Sequence, residues 1–117
     1  MQKNILFVCS ANKQRSKTAE DYFSSTHPEH KYSSAGTNLK ICAKEGTNPL
    51  TIELLQEADL VFVMENRHKK LIKDSLKDQF KKEIVVLDIP DIYKYYQKEL
   101  IELLQLKLNP YFKIDQS

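Results

Sequence analysis

Cysteine is scarce: only Cys9 and Cys42 occur in 117 residues. Two thiols are too few for the disulfide framework of a small secreted domain, and neither belongs to a Cys-x-x-Cys pair or a Cys/His cluster with zinc spacing. The three histidines, His27, His30 and His68, have no spaced ligand set around them either and are expected at the surface or at caps. No metal and no other cofactor is therefore expected. An excess of one charge is missing as well: Lys plus Arg is 18 against 16 for Asp plus Glu, a net +2 that calls for neither nucleic acid nor a membrane as partner. The opening apolar run, Ile5 to Cys9, spans five residues behind no basic leader, so it reads as neither a signal peptide nor a membrane span. The expectation is a soluble, cytoplasmic protein. Low-complexity tracts, Gly/Ser linkers and an internal period are absent too. With 41% hydrophobic residues, residues 1–117 are expected to form a single domain with a modest core.

What is present is an alternation of apolar strands and amphipathic helices. Ile5-Leu6-Phe7-Val8 has no polar alternation, as befits a strand covered on both faces. Arg15 to about Thr26 carries Ala19, Tyr22 and Phe23 at helical spacing, and His27-Pro28 stops it. A weaker strand fits Lys31 to Ser34, with Gly36 breaking the pattern. Asn48-Pro49 reads as N-cap and first position of a helix through Leu50, Leu54 and Leu55. Leu60 to Met64 is a third strand, followed by a basic helix through Leu71, Ile72 and Leu76, and Ile84 to Leu87 is a fourth. Gln97 to Leu108 forms a closing helix ended by Pro110. From Arg67 to Lys82 there are seven basic and two acidic residues, read as a solvated helix face. Strands separated by such helices pair in parallel through right-handed crossovers, which predicts an α/β three-layer sandwich with helices on both faces. Ligands of such sheets bind beyond the carboxyl ends of the strands, after Val8, Ser34, Met64 and Leu87.

The first of these loops carries the chemistry. Cys9-Ser10-Ala11-Asn12-Lys13-Gln14-Arg15-Ser16 joins a strand to a helix N-terminus, where backbone N–H groups are free. A phosphate there would meet the amides of Ser10, Ala11, Asn12, Lys13, Gln14 and Arg15, the positive end of the helix dipole and the planar fork of Arg15. The same field favours the thiolate of Cys9, and the Ser16 hydroxyl can donate to that sulfur. Asn12 tolerates the left-handed backbone a tight loop needs, while Lys13 adds steering charge or is simply solvated. A nucleophile, an anion cradle and a charge clamp thus lie within eight residues. A thiolate attacking an aryl phosphate also needs an acid for the leaving oxygen and then a base for water. Asp88 and Asp91 both follow the fourth strand, and their spacing does not choose between them.

Cys9-x5-Arg15-Ser16 after the first strand resembles the signature of the low-molecular-weight protein tyrosine phosphatase family. Ser34-Ala35-Gly36-Thr37, Ala58 to Met64 and Ile89-Pro90-Asp91-Ile92-Tyr93 are similar to further family segments in the same order. The resemblance implies a four-stranded parallel sheet in the order 2-1-3-4. It implies Cys9 as nucleophile, Arg15 as phosphate clamp, Ser16 as thiolate donor, Asn12 and Ser34 as loop support, and Asp91 rather than Asp88 as general acid. Tyr93 would wall the substrate, with Tyr95 and Tyr96 as further aromatics covering either the site or the core.

The chain departs from the family pattern at Ala11, where Gly is usual, at Gln14, where many members have a second cysteine, at Lys17 and at Ile92, where Pro is common. Ala11 matters only if that position needs φ > 0. Gln14 leaves oxidised Cys9 without a disulfide partner inside the loop. The segment between Gly36 and Ala58 looks short. The reading is a metal-independent phosphatase of phosphotyrosine, in proteins or as a small aryl phosphate, active on the acidic side of neutral. Two alternatives share the loop: a thiol-dependent arsenate reductase resolved by an external thiol, and a phosphate-binding module without turnover.

Overall fold

Four short apolar segments make the sheet. In a computed structural model describing residues 2–76, 80 and 82–112, β1 (Asn4–Cys9), β2 (Lys31–Gly36), β3 (Leu60–Val63) and β4 (Ile84–Val86) pair in parallel in the order β2-β1-β3-β4. The strands read as unbroken apolar runs because both faces are covered. Ile5, Phe7 and Cys9 point to one side, where they meet Ala19 and Phe23 of α1 (Arg15–Thr26) and Leu100, Leu104 and Leu108 of α5 (Lys98–Phe112). Leu6 and Val8 point to the other, against Leu55 of α3 (Ile52–Glu57) and Ile72 and Leu76 of α4 (Asn66–Leu76). Phe7 lies between Phe23 and Phe62, with ring centroids 6.0 and 5.7 Å away. The register sets Cys9 beside Gly36 and Val8 beside Val63, so three strands deliver their carboxyl ends to one edge.

The predicted α/β sandwich with helices on both faces is the observed one, and the differences are local. A short helix, α2 (Leu39–Glu45), follows β2 where none is predicted. Asn38 caps it by accepting from the Ile41 N–H at 3.1 Å, and Gly46 ends it in the left-handed region at φ 71°. Asn48-Pro49 does not open the next helix. Thr51 caps α3 by accepting from the Leu54 N–H at 3.1 Å, while Pro49 extends the sheet through a parallel bridge with Gly36. Strand β2 itself runs through Gly36. The closing helix begins at Lys98 and passes Pro110 to reach Phe112. Its last turn is held by packing, since the Phe112 ring lies 5.0 Å from Phe23 and 5.6 Å from His27, which outweighs the single hydrogen bond a proline removes.

In the basic segment Ile72 and Leu76 are buried but Leu71 is exposed. Residues 77–79 and 81 of that run lie outside the described residues. Lys82 is no solvated charge: its ammonium donates to the carbonyls of Leu55, Gln56 and Ala58 at the end of α3, where a cation is favoured. Among the described residues no helix is long and apolar enough to cross a membrane.

Candidate active site

Helix α1 starts without a side-chain cap and with no acid in its first turn, so the positive end of its dipole is left open. Among the described residues no carbonyl accepts from the N–H groups of Ser10, Ala11, Lys13 or Gln14. These four amides line the loop between Cys9 and Ser16 at the open end of α1.

Cys9 Sγ lies 3.0 Å from Ser16 Oγ and 3.3 Å from the Asn12 backbone N, which donates to it. Asn12 Nδ2 donates to Ser16 Oγ at 2.9 Å, leaving the hydroxyl's own proton for the sulfur. The Asn12 amide is in turn oriented by the Asn48 N–H, which donates to its Oδ1 at 3.0 Å, and Asn48 Nδ2 donates to the Ser34 carbonyl at 2.8 Å. A chain of donors thus runs from β2 to the thiol. Ser34 joins it through its backbone, while its hydroxyl donates to Glu20. The left-handed position of the loop is Asn12, at φ 54°. Ala11 is not among the positive-φ residues and is half-buried, so a Cβ is tolerated there.

Arg15 is 2% exposed. Both protons of its Nη1 are engaged, one by Glu65 and one by the Ile89 carbonyl at 2.8 Å. The Nε and Nη2 edge makes no hydrogen bond among the described residues. Asp91 stands at that edge, its Oδ1 3.8 Å from Nε, with its side chain 57% exposed. Asp88, at φ 56° and exposed, makes no ion pair among the described residues. Tyr93 is half-buried and packs against the core beside α1 and α5. Tyr95 donates to Asp21 and the Tyr96 N–H to Thr18 Oγ1 at 2.9 Å, which ties both to α1. Lys13 is paired with Glu45 at 3.2 Å.

Two contributors escape the sequence reading. His68 is expected at the surface or a cap, yet it is fully buried. Its Nδ1 accepts from the Glu65 N–H at 3.1 Å, so the proton sits on Nε2, which donates to Ser10 Oγ at 3.0 Å. Burial, and then the nearby Arg15 and Arg67, push its pKa down to about 4. Glu65 anchors Arg15, and hydrogen bonds from Arg67 and Arg15 hold its carboxyl down at about 2. The only signal for either was position, just beyond the carboxyl end of β3.

No protein-family model matches the sequence, and no curated protein does. Solved structures do. A YwlE mutant from Bacillus subtilis is 26% identical, with a TM-score of 0.69 over 95% of this chain and 99% of that one. The tyrosine phosphatase Wzb from Escherichia coli K30, solved in complex with phosphate, is 22% identical, with a TM-score of 0.74 over 95% and 96%. The YwlE arginine phosphatase from Geobacillus stearothermophilus is 23% identical, with a TM-score of 0.69 over 97% and 95%. This is the low-molecular-weight protein tyrosine phosphatase fold. The strand order that the family resemblance implies, 2-1-3-4, is the one observed. In this fold the segments carrying the resemblance meet at the Cys9 loop: the end of β2 backs it at Ser10 and Ala11, and the loop after β4 brings Ile89 and Asp91 to Arg15.

Proposed function

We propose that the chain is a metal-independent phosphomonoesterase that hydrolyses phosphotyrosine, in proteins or as a small aryl phosphate, through phosphocysteine. The observation that carries this reading is the Cys9 sulfur on the floor of an open amide cradle, with Ser16 Oγ at 3.0 Å and the Asn12 N–H at 3.3 Å. Those two groups and the uncapped end of α1 turn the positive ends of their dipoles to the sulfur. The thiolate attacks phosphorus while the loop amides and the free edge of Arg15 hold the equatorial oxygens, stabilising charge as it spreads over them. The P–O bond to the aryl group breaks, and Asp91 gives its proton to the departing oxygen. Water then attacks the phosphocysteine. The Asp91 carboxylate takes its proton, the S–P bond breaks, and thiolate and inorganic phosphate are regenerated. Asp91 stands at the Arg15 edge, 3.8 Å from Nε, whereas Asp88 makes no ion pair among the described residues, which supports Asp91 over Asp88.

One structural neighbour is an arginine phosphatase. A cationic leaving group is disfavoured by Arg67, which is half-exposed beside Glu65 and keeps donors without an acceptor among the described residues. Arsenate reduction would require an external thiol, since Cys42 is fully buried.

The test is steady-state hydrolysis of p-nitrophenyl phosphate, with EDTA present, by wild type, Cys9→Ser, Asp91→Ala and Asp88→Ala. Cys9→Ser is expected to abolish turnover and Asp91→Ala to lower kcat by about 10²–10⁴, far more than Asp88→Ala. A folded wild type that binds phosphate without turnover would replace this reading with the binding module.

A further inference from the structure

The phosphate clamp is not the only arginine at this edge of the sheet. Arg67 shares the carboxylate of Glu65 with Arg15: its Nε donates to Oε1 at 3.0 Å and its Nη2 to Oε2, the oxygen Arg15 also reaches, at 3.3 Å. One carboxylate therefore bridges the two guanidiniums, and Asp91 stands 3.8 Å from Arg15 Nε. Arg67 is 56% exposed. Of its five N–H groups, three have no acceptor among the described residues.

Its position runs against local preference. Arg67 lies in the first turn of α4, which contains no acidic residue. A cation there opposes the helix dipole, and stability alone would favour an acid. The helix tolerates it only through Glu65, which Arg15 shares. The arrangement is costly as architecture and suited to recognition: a planar donor set faces solvent one carboxylate away from where a phosphate would sit.

We propose that Arg67 is the selectivity residue of this site, binding the carboxylate of an acidic residue adjacent to the phosphorylated one in a peptide substrate. The inference rests on the phosphotyrosine phosphatase reading and adds to it a preference for acidic phosphopeptides. Lys13, paired with Glu45, and Lys17, paired with Glu20 and Asp21, contribute less because an ammonium lacks the planar fork that can hold a second carboxylate.

Two phosphotyrosyl pentapeptides, one with Glu and one with Gln on either side of the phosphotyrosine, test it, with p-nitrophenyl phosphate as reference. The measured quantity is the ratio of kcat/KM for the Glu peptide to that for the Gln peptide, in which any loss transmitted through Glu65 to Arg15 cancels. Wild type should favour the Glu peptide about three- to tenfold, with the preference shrinking as salt rises. Arg67→Gln should bring the ratio to about one, Arg67→Lys should retain part of it, and Arg67→Glu should invert it. A wild-type ratio of one, or a preference that survives Arg67→Gln, overturns the assignment while hydrolysis of p-nitrophenyl phosphate still stands. Absence of turnover on all three substrates overturns the phosphatase reading itself.

Discussion

A Cβ at Gly36 would fall 2.5 Å from the carbonyl oxygen of Ser10. It would also meet Cys42 Sγ at 2.6 Å and the Ala11 carbonyl carbon at 3.0 Å. The end of β2 thus presses directly on the back of the anion loop, and the contact with Ser10 is backbone against backbone. Gly36→Ala is expected to displace the loop, lowering kcat/KM for p-nitrophenyl phosphate at least about tenfold and stability by about 1–3 kcal/mol. Adding Cys42→Ala removes one clash but leaves the Ser10 carbonyl in place, so the double variant should remain impaired. Full activity in Gly36→Ala would show that the loop does not depend on this approach.

His68 joins the first residue of that loop to the backbone of Glu65. Its pKa is pushed down to about 4 from 6.5, so the unfolded chain binds a proton that the folded one refuses. The resulting stability is fully present above about pH 6.5 and is lost as the pH falls toward 4, with a single-group slope of at most about 1.4 kcal/mol per pH unit. Urea denaturation at pH 7, 5.5 and 4.5 should follow this trend, and the excess slope should vanish in a folded His68→Asn variant. Independently, the ring nitrogens of labelled wild type should report one neutral Nε2–H tautomer down to about pH 4. A ring that protonates near its ordinary value would contradict the hydrogen bonds to Ser10 and Glu65.

Glu65 titrates in the opposite sense from a typical buried carboxyl. Held at about 2 by Arg67 and Arg15, it contributes stability above the ordinary value of 4.5 that is lost as the pH falls through about 2. Across the working range it stays ionised and keeps Arg15 aimed. Glu65→Gln preserves shape but not charge, and should raise KM and the inhibition constant of inorganic phosphate several-fold while flattening the acid limb of stability below pH 4.5. Unchanged phosphate affinity would mean that Arg15 needs no anchor beyond the Ile89 carbonyl.

Asn48 and Thr51 separate what the sequence could reveal from what it could not. An Asn-Pro pair ahead of Leu50, Leu54 and Leu55 has the composition of a helix start, and so does Thr51, three residues later. Local propensity could not choose, because the decision is tertiary: Asn48 is drawn to the Asn12 side chain and the Ser34 carbonyl, and Pro49 to Gly36. The strand-loop-helix unit around Cys9 was legible since each piece is local. Unbroken apolarity marked β1, and the Arg15 and Ser16 spacing marked the cradle. His68 and Glu65 were not, because their roles arise only when β3 is set beside β1. Thr51→Ala should cost about 1 kcal/mol and leave kcat within twofold or so, whereas Asn48→Ala should lower kcat through the loop. Equal effects of both on kcat would remove Asn48 from the support network.

Cys42 is the other thiol, and its surroundings decide how Cys9, the proposed nucleophile, responds to oxidants. Its sulfur contacts carbonyl oxygens, of Ala11 at 3.6 Å, Asn48 at 3.8 Å and Ser10 at 4.0 Å, whereas Cys9 Sγ faces the Asn12 N–H and Ser16 Oγ. The two thiols therefore lie on opposite sides of the loop backbone, one on its carbonyl side and one on its amide side. A disulfide between them would require the peptide chain of residues 10–11 to move out of the way. With Gln14 in the loop no nearer thiol exists, so peroxide should carry Cys9 through sulfenic to sulfinic acid instead of into a disulfide. Mass spectrometry of peroxide-treated protein should find added oxygen on the Cys9 peptide, activity recoverable by dithiothreitol only at early times, and protection by inorganic phosphate. Cys42→Ala should oxidise at the same rate and with the same irreversibility. A Cys9–Cys42 cross-link in the wild type, with faster permanent inactivation in Cys42→Ala, would mean that the loop opens readily enough for Cys42 to act as a resolving thiol.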